Sequence, residues 1–433
     1  MSVPKASKVL AVTLALAAAL AIASCGGGSS NNNTQPPPPV NNTVTAEVNA
    51  GPAGFANMLF VSVTVCMPGS TTNCQKVDNI QVDTGSEGLR ILSSALGSLD
   101  PSAGNGLPVL HDTQNNQLQE CIQFADTSYV WGPVATADVS IAGETASSVP
   151  IQVIAANPPF PVPTSTNNNC LSLGNPGPTG ALDTVAKLGA NGIIGLGNFP
   201  QDCGGTCATV PNQAFVYFVC PAGACTEAGV PTNQQVSNPV IGFASDNNGI
   251  LITMPSIPAV GTDSVTGSIV FGIGTQNDNA LANVQVYTLD GSGNMASTPQ
   301  SPSFAGVSNL AGFLDTGSTG IYYLDHATLG IPDCADAPGL YCPTAPINYT
   351  VTNTGANGTT GNVTFTIANA DALFNSPTFF AFNDLGGDSG SGISTDTVDL
   401  GMPFFYNRSV FVGIAGQAAP ASASGNLYGY FAF

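Results

Sequence analysis

Basic side chains are nearly missing from this chain of 433 residues. Lys and Arg together number 6 against 26 Asp and Glu, for a formal net charge of −20. A protein that grips a phosphate backbone needs Lys and Arg to replace counterions, so nucleic acid is excluded as a partner. The same deficit argues against electrostatic attraction to an anionic membrane surface. Histidine is scarcer still: His111 and His326 are the 2 present, and neither sits in a recognisable base motif. The Gly-Asp-Ser-Gly word around Ser389 resembles a serine nucleophile loop, but that mechanism needs a histidine base, so the stretch reads as a Gly/Ser turn. Charged residues are only 7% of the chain, and no stretch joins a helical apolar period to a Lys/Glu/Arg face. EF-hand spacing is absent, so the runs TQNDNA and SDNNG read as turns rather than calcium loops.

What is present is apolar and turn-rich. Hydrophobic residues make up 43%, with 50 Gly and 33 Pro, the profile of many short strands joined by tight turns. The chain is long enough for two or three domains of ordinary size. It opens with MSVPKASKVLAVTLALAAALAIASC, an export signal with Lys5 and Lys8 before an apolar run. That run is too short to span a membrane. IASC resembles a bacterial lipobox, which makes residues 1–24 a lipoprotein signal peptide and Cys25 the lipid-bearing first residue of the mature chain. Residues 25–45 follow as a flexible Gly/Asn/Pro-rich tether. Removing Cys25 from 11 cysteines leaves ten, an even number that suits up to five disulfides in an exported protein. Cys66 with Cys74 and Cys334 with Cys342 would each close a short loop. Cys203, Cys207, Cys220 and Cys225 form a cluster that could pair internally, and Cys121 and Cys170 remain. A zinc site in the cluster is the alternative, weakened by the missing histidines.

From residue 46 onward short apolar runs alternate with turns, and one word recurs. IQVDTGSEGLRIL spans residues 80–92 and GFLDTGSTGIYYL spans 312–324. Each Asp-Thr-Gly-Ser follows an apolar strand end, and Gly85 and Gly317 permit a sharp turn. Two such loops set face to face would place Asp83 and Asp315 together, with the hydroxyls of Ser86 and Ser318 beside them. Two carboxylates in one site hold a proton between them; one can serve as general base on a water and the other as general acid.

These residues resemble the pepsin-like aspartic peptidases, and the resemblance extends past the two loops. NGIIGLG looks like the step that supports the first aspartate loop, GSIVFGIGTQND like the segment joining the lobes, and VDLGMPFFYNRSVFVGI like the second support and the strands after it. The matches cover most of residues 55–433 in the family's order, apart from an insertion over 200–245. The resemblance implies an all-β, bilobal, double-lobed β-barrel fold with a cleft between lobes. It implies an N-terminal lobe over 46–262, carrying the Cys-rich insertion (198–245), and a C-terminal lobe over 263–433. It also implies Asp83 and Asp315 as the dyad, Thr84 and Thr316 as cross-braces between loops, and Ser86 and Ser318 as partners of the carboxylates. Arg90 stands where the family has a tryptophan. The hairpin flap should lie in CIQFADTSYVWG, where Phe124 takes the place of the family's tyrosine and Tyr129 is a possible substitute. No basic pro-segment is seen between Cys25 and the first strand, so a zymogen of the usual kind is not expected.

The expected function is therefore a lipid-anchored aspartic endopeptidase acting on peptides or proteins, with no cofactor and no metal. The alternative is a non-catalytic module on the same scaffold that holds a peptide or glycan in its cleft. The chain is expected to be a monomer, tied through Cys25 to the cell envelope, with the outer membrane favoured. Ser86, Ser318 and Arg90, if it points into the cleft, would favour ionised carboxylates and an acid optimum.

Overall fold

Period-two alternation writes the strands. β1 (Thr43–Val48) buries Ala46 and Val48 while Thr45 and Glu47 face water. The computed structural model describes residues 41–433 apart from 156–157, 166–167, 173–179, 210–213, 222–223, 282, 302–303, 305, 390–395 and 425–426. The signal segment and Cys25 lie outside the described residues, and β1 begins two residues before the end assigned to the tether.

The strands that follow are β2 (Leu59–Cys66), β3 (Cys74–Asp83), β4 (Glu87–Leu92), β5 (Leu118–Gln123), β6 (Tyr129–Ile141) and β7 (Glu144–Ile154). After the short pair β8 (Thr164–Ser165) and β9 (Asn168–Asn169) come β10 (Gly192–Leu196), β11 (Tyr217–Val219), β12 (Thr226–Glu227), β13 (Gly249–Met254) and β14 (Val265–Phe271). Order β2-β3-β10-β4-β7-β6, closed by the pairing of β6 back onto β2, makes the first lobe a barrel. Closure removes free edges from this lobe.

The second half holds β15 (Val286–Thr288), β16 (Met295–Pro299), β17 (Leu310–Asp315), β18 (Ile321–Tyr323), β19 (Ile347–Thr354), β20 (Thr360–Ile367), β21 (Gly386–Gly387), β22 (Thr397–Gly401), β23 (Arg408–Gly413) and β24 (Tyr430–Ala432). Its sheet runs β20-β19-β16-β17-β22-β18-β21 without a closing pair among the described residues, so the second lobe of the expected bilobal all-β fold is a half-barrel. A third run, β1-β14-β13-β23-β24-β15, joins the halves; β14, just past the boundary drawn at 263, pairs with β1 and β13. One large apolar core collects residues of both halves, Val82 and Leu314 among them. Helices are single turns of four or five residues, and none described is long and apolar enough to cross a membrane.

Candidate active site

The two halves repeat one local construction. β3 runs parallel to β10, with Asp83 level with Gly195, while β4 returns antiparallel on the other side of β10. β17 runs parallel to β22, with Asp315 level with Gly401, while β18 returns antiparallel on the other side of β22. The supporting glycines are required by close approach. A Cβ on Gly401 would lie 2.0 Å from the Gly320 carbonyl oxygen, and one on Gly195 would lie 2.6 Å from the Glu87 backbone.

The loops are tied to each other by a reciprocal set of bonds. The Thr84 hydroxyl donates to the Leu314 carbonyl at 2.8 Å and accepts from the Thr316 amide at 3.0 Å. The Thr316 hydroxyl donates to the Val82 carbonyl at 2.8 Å and accepts from the Thr84 amide at 3.2 Å. Both threonines are buried, so each bond is shielded from competing water. The loops also touch through their glycines: a Cβ on Gly85 would sit 2.7 Å from the Asp315 carboxyl carbon, and one on Gly317 2.6 Å from Asp83 Oδ1.

Each carboxyl is then aimed by its own turn. Asp83 accepts from the Gly85 amide at 2.8 Å and the Ser86 hydroxyl at 2.5 Å. Asp315 accepts from the Gly317 amide at 2.6 Å and lies 2.9 Å from the Ser318 hydroxyl. Asp83 Oδ1 and Asp315 Oδ1 lie 2.6 and 2.9 Å from the position that a Gly317 Cβ would take. Burial, then the charges of Asp83 and Asp399, push Asp315 well above the ordinary carboxylate range, while Ser318 pulls the other way. A proton shared by this pair therefore resides preferentially on Asp315. The Tyr322 phenol is also pushed up, first by burial and further by the carboxylates of Asp399, flap-tip Asp126 and Asp315.

Arg90 does not face the cleft. It is 1% exposed, and its guanidinium meets Glu120 at 2.9 Å, Asp202 at 2.8 Å and the Glu87 carbonyl at 2.6 Å. Asp202 also accepts from the Tyr217 hydroxyl at 2.7 Å. Burial opposes the charge on Arg90, but Glu120 and Asp202 more than offset it and hold the cation. Burial pushes Glu120 well above its usual value against the pull of Arg90. Glu87, next to the Asp83 turn, is pushed up to about 8, first by burial.

This cluster roots the flap. Glu120 lies on β5, and β5–β6 form the hairpin whose turn is closed by the Phe124 amide donating to the Ser128 carbonyl at 2.8 Å. Phe124 packs against the cluster of Met58, Phe60, Leu92 and Val130, and Tyr129 against that of Trp131 and Phe218. The insertion supplies Asp202 and Tyr217, and its strand β11 pairs with β5, with β12 beyond. The flap strands thus belong to a sheet widened by the insertion. Three of the five disulfides serve this region: Cys121–Cys170, Cys203–Cys207 and Cys220–Cys225. Cys66–Cys74 and Cys334–Cys342 close the two short loops expected of them. The cysteine cluster is thus disulfide-bonded, which leaves no thiolates in it for zinc.

Ser389 is fully buried and donates to the Leu324 carbonyl at 2.7 Å, while His326 bonds Asp388 at 2.9 Å. His326, Asp333 and Asp388 each offer a ligand-sized atom within 4.8 Å of the others, and the imidazole–carboxylate bonding accounts for that grouping. The run TQNDNA and Asp246 of SDNNG form turns: the Asn279 side chain accepts from the Thr275 and Gln276 amides, and Asp246 from the Gln276 side chain. A cavity of about 390 Å³ opens beside the second loop, lined by Thr319, Phe55, Phe374, Phe379 and Phe380. Sequence reasoning missed Asp399, Glu87, Glu120 and Asp202. The one available signal was an acid inside an otherwise apolar step, as in VDLG.

No curated protein matches the chain. Among solved structures, the aspartic proteinase from Irpex lacteus is similar over 89% of this chain and 98% of that one, at 16% sequence identity and a TM-score of 0.45. The sequence model of a family described as "Protein of unknown function (DUF3443)" matches residues 38–433. That span is most of the 433 residues, and the chain belongs to that family.

Proposed function

We propose that this protein is an aspartic endopeptidase. The observation that carries the reading is the pair Asp83 and Asp315, both set against Gly317 on two loops locked together by Thr84 and Thr316, with Asp315 favoured as the proton holder. Asp83 would take a proton from a water held between the carboxyls as that water attacks the peptide carbonyl. Asp315 would donate its proton to the carbonyl oxygen, and the dyad would then protonate the leaving amine. The Phe-lined cavity beside Thr319 would receive an apolar side chain of the substrate. The raised Asp315 and the withdrawn Arg90 would move the working range nearer neutrality than the serine hydroxyls alone suggest. In this reading residues 46–262 and 263–433 are the two lobes, and the protein acts as a monomer on peptide substrates.

The proposal includes an anchor. Lipid on Cys25 would hold the domain at the outer membrane, and stable attachment would use more than one acyl chain. Palmitate incorporation that disappears in Cys25→Ser supports this; labelling that persists refutes it.

The deciding experiment for catalysis is peptide-library cleavage from about pH 3 to about pH 8 by wild type, Asp83→Ala and Asp315→Ala. Cleavage lost in both folded variants supports the dyad. No cleavage by wild type at any pH, with peptide or glycan binding retained in both variants, would favour the binding module instead.

A further inference from the structure

Ser318 stands between two carboxyls with one hydrogen to give. Its Oγ lies 2.9 Å from Asp315 Oδ2 and 2.5 Å from Asp399 Oδ2. Two oxygens at hydrogen-bond distance from one hydroxyl can both be satisfied only if one of them brings its own hydrogen. Asp399 can bring it. It is fully buried on β22, and its Oδ1 is buried with no hydrogen-bond partner among the described residues. An ionised carboxylate in that position would leave a charged oxygen bare. Its facing elements are β17, which places Phe313 level with it, and β18, which places Tyr322 level with it. The titratable groups about it are Asp83, Asp315 and Tyr322, and none is a cation at any pH. Burial first, and then Asp83, raises Asp399 well above the carboxylate range, with Ser318 opposing.

We propose that Asp399 is a third proton-carrying carboxyl of the site, a positioning residue that exchanges its proton with Asp315 through the Ser318 hydroxyl. Once Asp315 has given its own proton to the substrate, the Asp399 Oδ2–H donates to Ser318 Oγ, and Ser318 donates to the ionised Asp315. The Asp399 hydrogen then moves to Ser318 Oγ and the former Ser318 hydrogen to Asp315 Oδ2. One O–H bond breaks and one forms at Ser318, and the net change is one proton moved from Asp399 to Asp315. Before the transfer to substrate the site holds two protons over three carboxyls, on Asp315 and Asp399, and Asp83 serves as the base. When pH rises and one proton leaves, the other settles on the dyad, where the Asp399 charge strengthens its hold on Asp315. The dyad of wild type therefore keeps its working proton to higher pH than a dyad without Asp399.

The exchange rests on the peptidase reading and the buried proton does not, so the test has two arms. The first is infrared absorption of protonated carboxyl groups in the unliganded protein at neutral pH. One such group should be lost in Asp399→Asn, and an unchanged signal in that variant overturns the proposal whatever the activity. The second is the pH profile of kcat/KM. The alkaline limb should move to lower pH, by about one unit, in Asp399→Asn, which removes the charge that raises Asp315. A limb that stays in place or moves up in the folded variant overturns the exchange. Loss of the infrared signal in a protein that cleaves no peptide at any pH supports the buried proton while refuting the peptidase reading.

Discussion

The two aspartate loops share one backbone and differ in what surrounds it. Counted from each Asp, the fourth residue is Glu87 in the first loop and Thr319 in the second. The seventh is Arg90 in the first and Tyr322 in the second. On the supporting strand, Ile193 in the first half corresponds to Asp399 in the second, since each lies two residues before the glycine level with its Asp. The first loop therefore has buried acids and a buried cation to hold them, and its serine serves Asp83 alone in the contacts described. The second has a buried acid without a cation, bridged to Asp315 by Ser318. A symmetric frame thus carries asymmetric charge, and Asp315 is raised well above the ordinary carboxylate range, first by burial.

The largest expected effect erases the pair itself. Asp83→Asn and Asp315→Asn should each lower kcat/KM by about 10²-fold to 10⁴-fold, the usual worth of a positioned acid or base. Equal losses in the two variants would fit one functional unit. Retention of most activity in one of them would show that the halves do not share the reaction.

The next effect removes the cation that distinguishes the first half. Arg90→Met leaves Glu120 and Asp202 buried without their partner, and breaking such a pair costs about 3–5 kcal/mol. The loss depends on pH in a defined direction. Without Arg90 the acids fold most readily when protonated, so the folded state binds protons the unfolded chain would release, and stability falls as pH rises. Thermal unfolding should show the variant closer to wild type in mild acid than in mild alkali. A deficit independent of pH would mean that Arg90 acts through packing alone.

The two aspartate loops and their frame were legible in the sequence because the DTGS word occurs twice, each time after an apolar strand end. Cys66–Cys74 and Cys334–Cys342 were legible because short spacing leaves few other geometries. Arg90 was visible as an oddity, but its partners stand 30 and 112 residues away, and nothing local announces them. Asp399 was hidden for another reason. A lone acid in a strand reads as a surface residue, and only the pairing of β22 between β17 and β18 puts it inside. The second lobe's open sheet was likewise unreadable, since closure depends on which edge strands meet rather than on any one strand's pattern.

A smaller effect tests the tie between loops. Thr84→Val keeps the shape but removes the hydroxyl that donates to the Leu314 carbonyl and accepts from the Thr316 amide. Two buried backbone groups lose partners, for a cost of about 1–3 kcal/mol. Thr316→Val should cost a similar amount, because its bonds to Val82 and Thr84 are the same set in mirror order. Denaturant unfolding of the two variants compares the halves directly. A difference well beyond the error of that measurement would show that the tie is not reciprocal in energy.

The smallest effect concerns Glu87, the acid that the second loop replaces with Thr319. Its carboxyl accepts from the Phe199 amide at 3.1 Å, and burial pushes it up to about 8. In the unfolded chain a glutamate titrates near its ordinary value of about 4.3. Because the folded value is the higher one, the folded state holds a proton that the unfolded state has lost. The stabilisation is complete below the unfolded value, declines as pH rises through the interval, and is gone above about 8. Glu87→Gln keeps an oxygen for the Phe199 amide and has nothing to titrate. Other raised carboxyls, such as Asp384 at about 6, contribute the same slope to both proteins and cancel in the difference. The variant should therefore gain on wild type, in unfolding temperature, between mild acid and pH about 8, and no further beyond it. A difference that stays constant across that range would mean that Glu87 is hydrated and that the charge contrast between the loops rests on Arg90 and Asp399 alone.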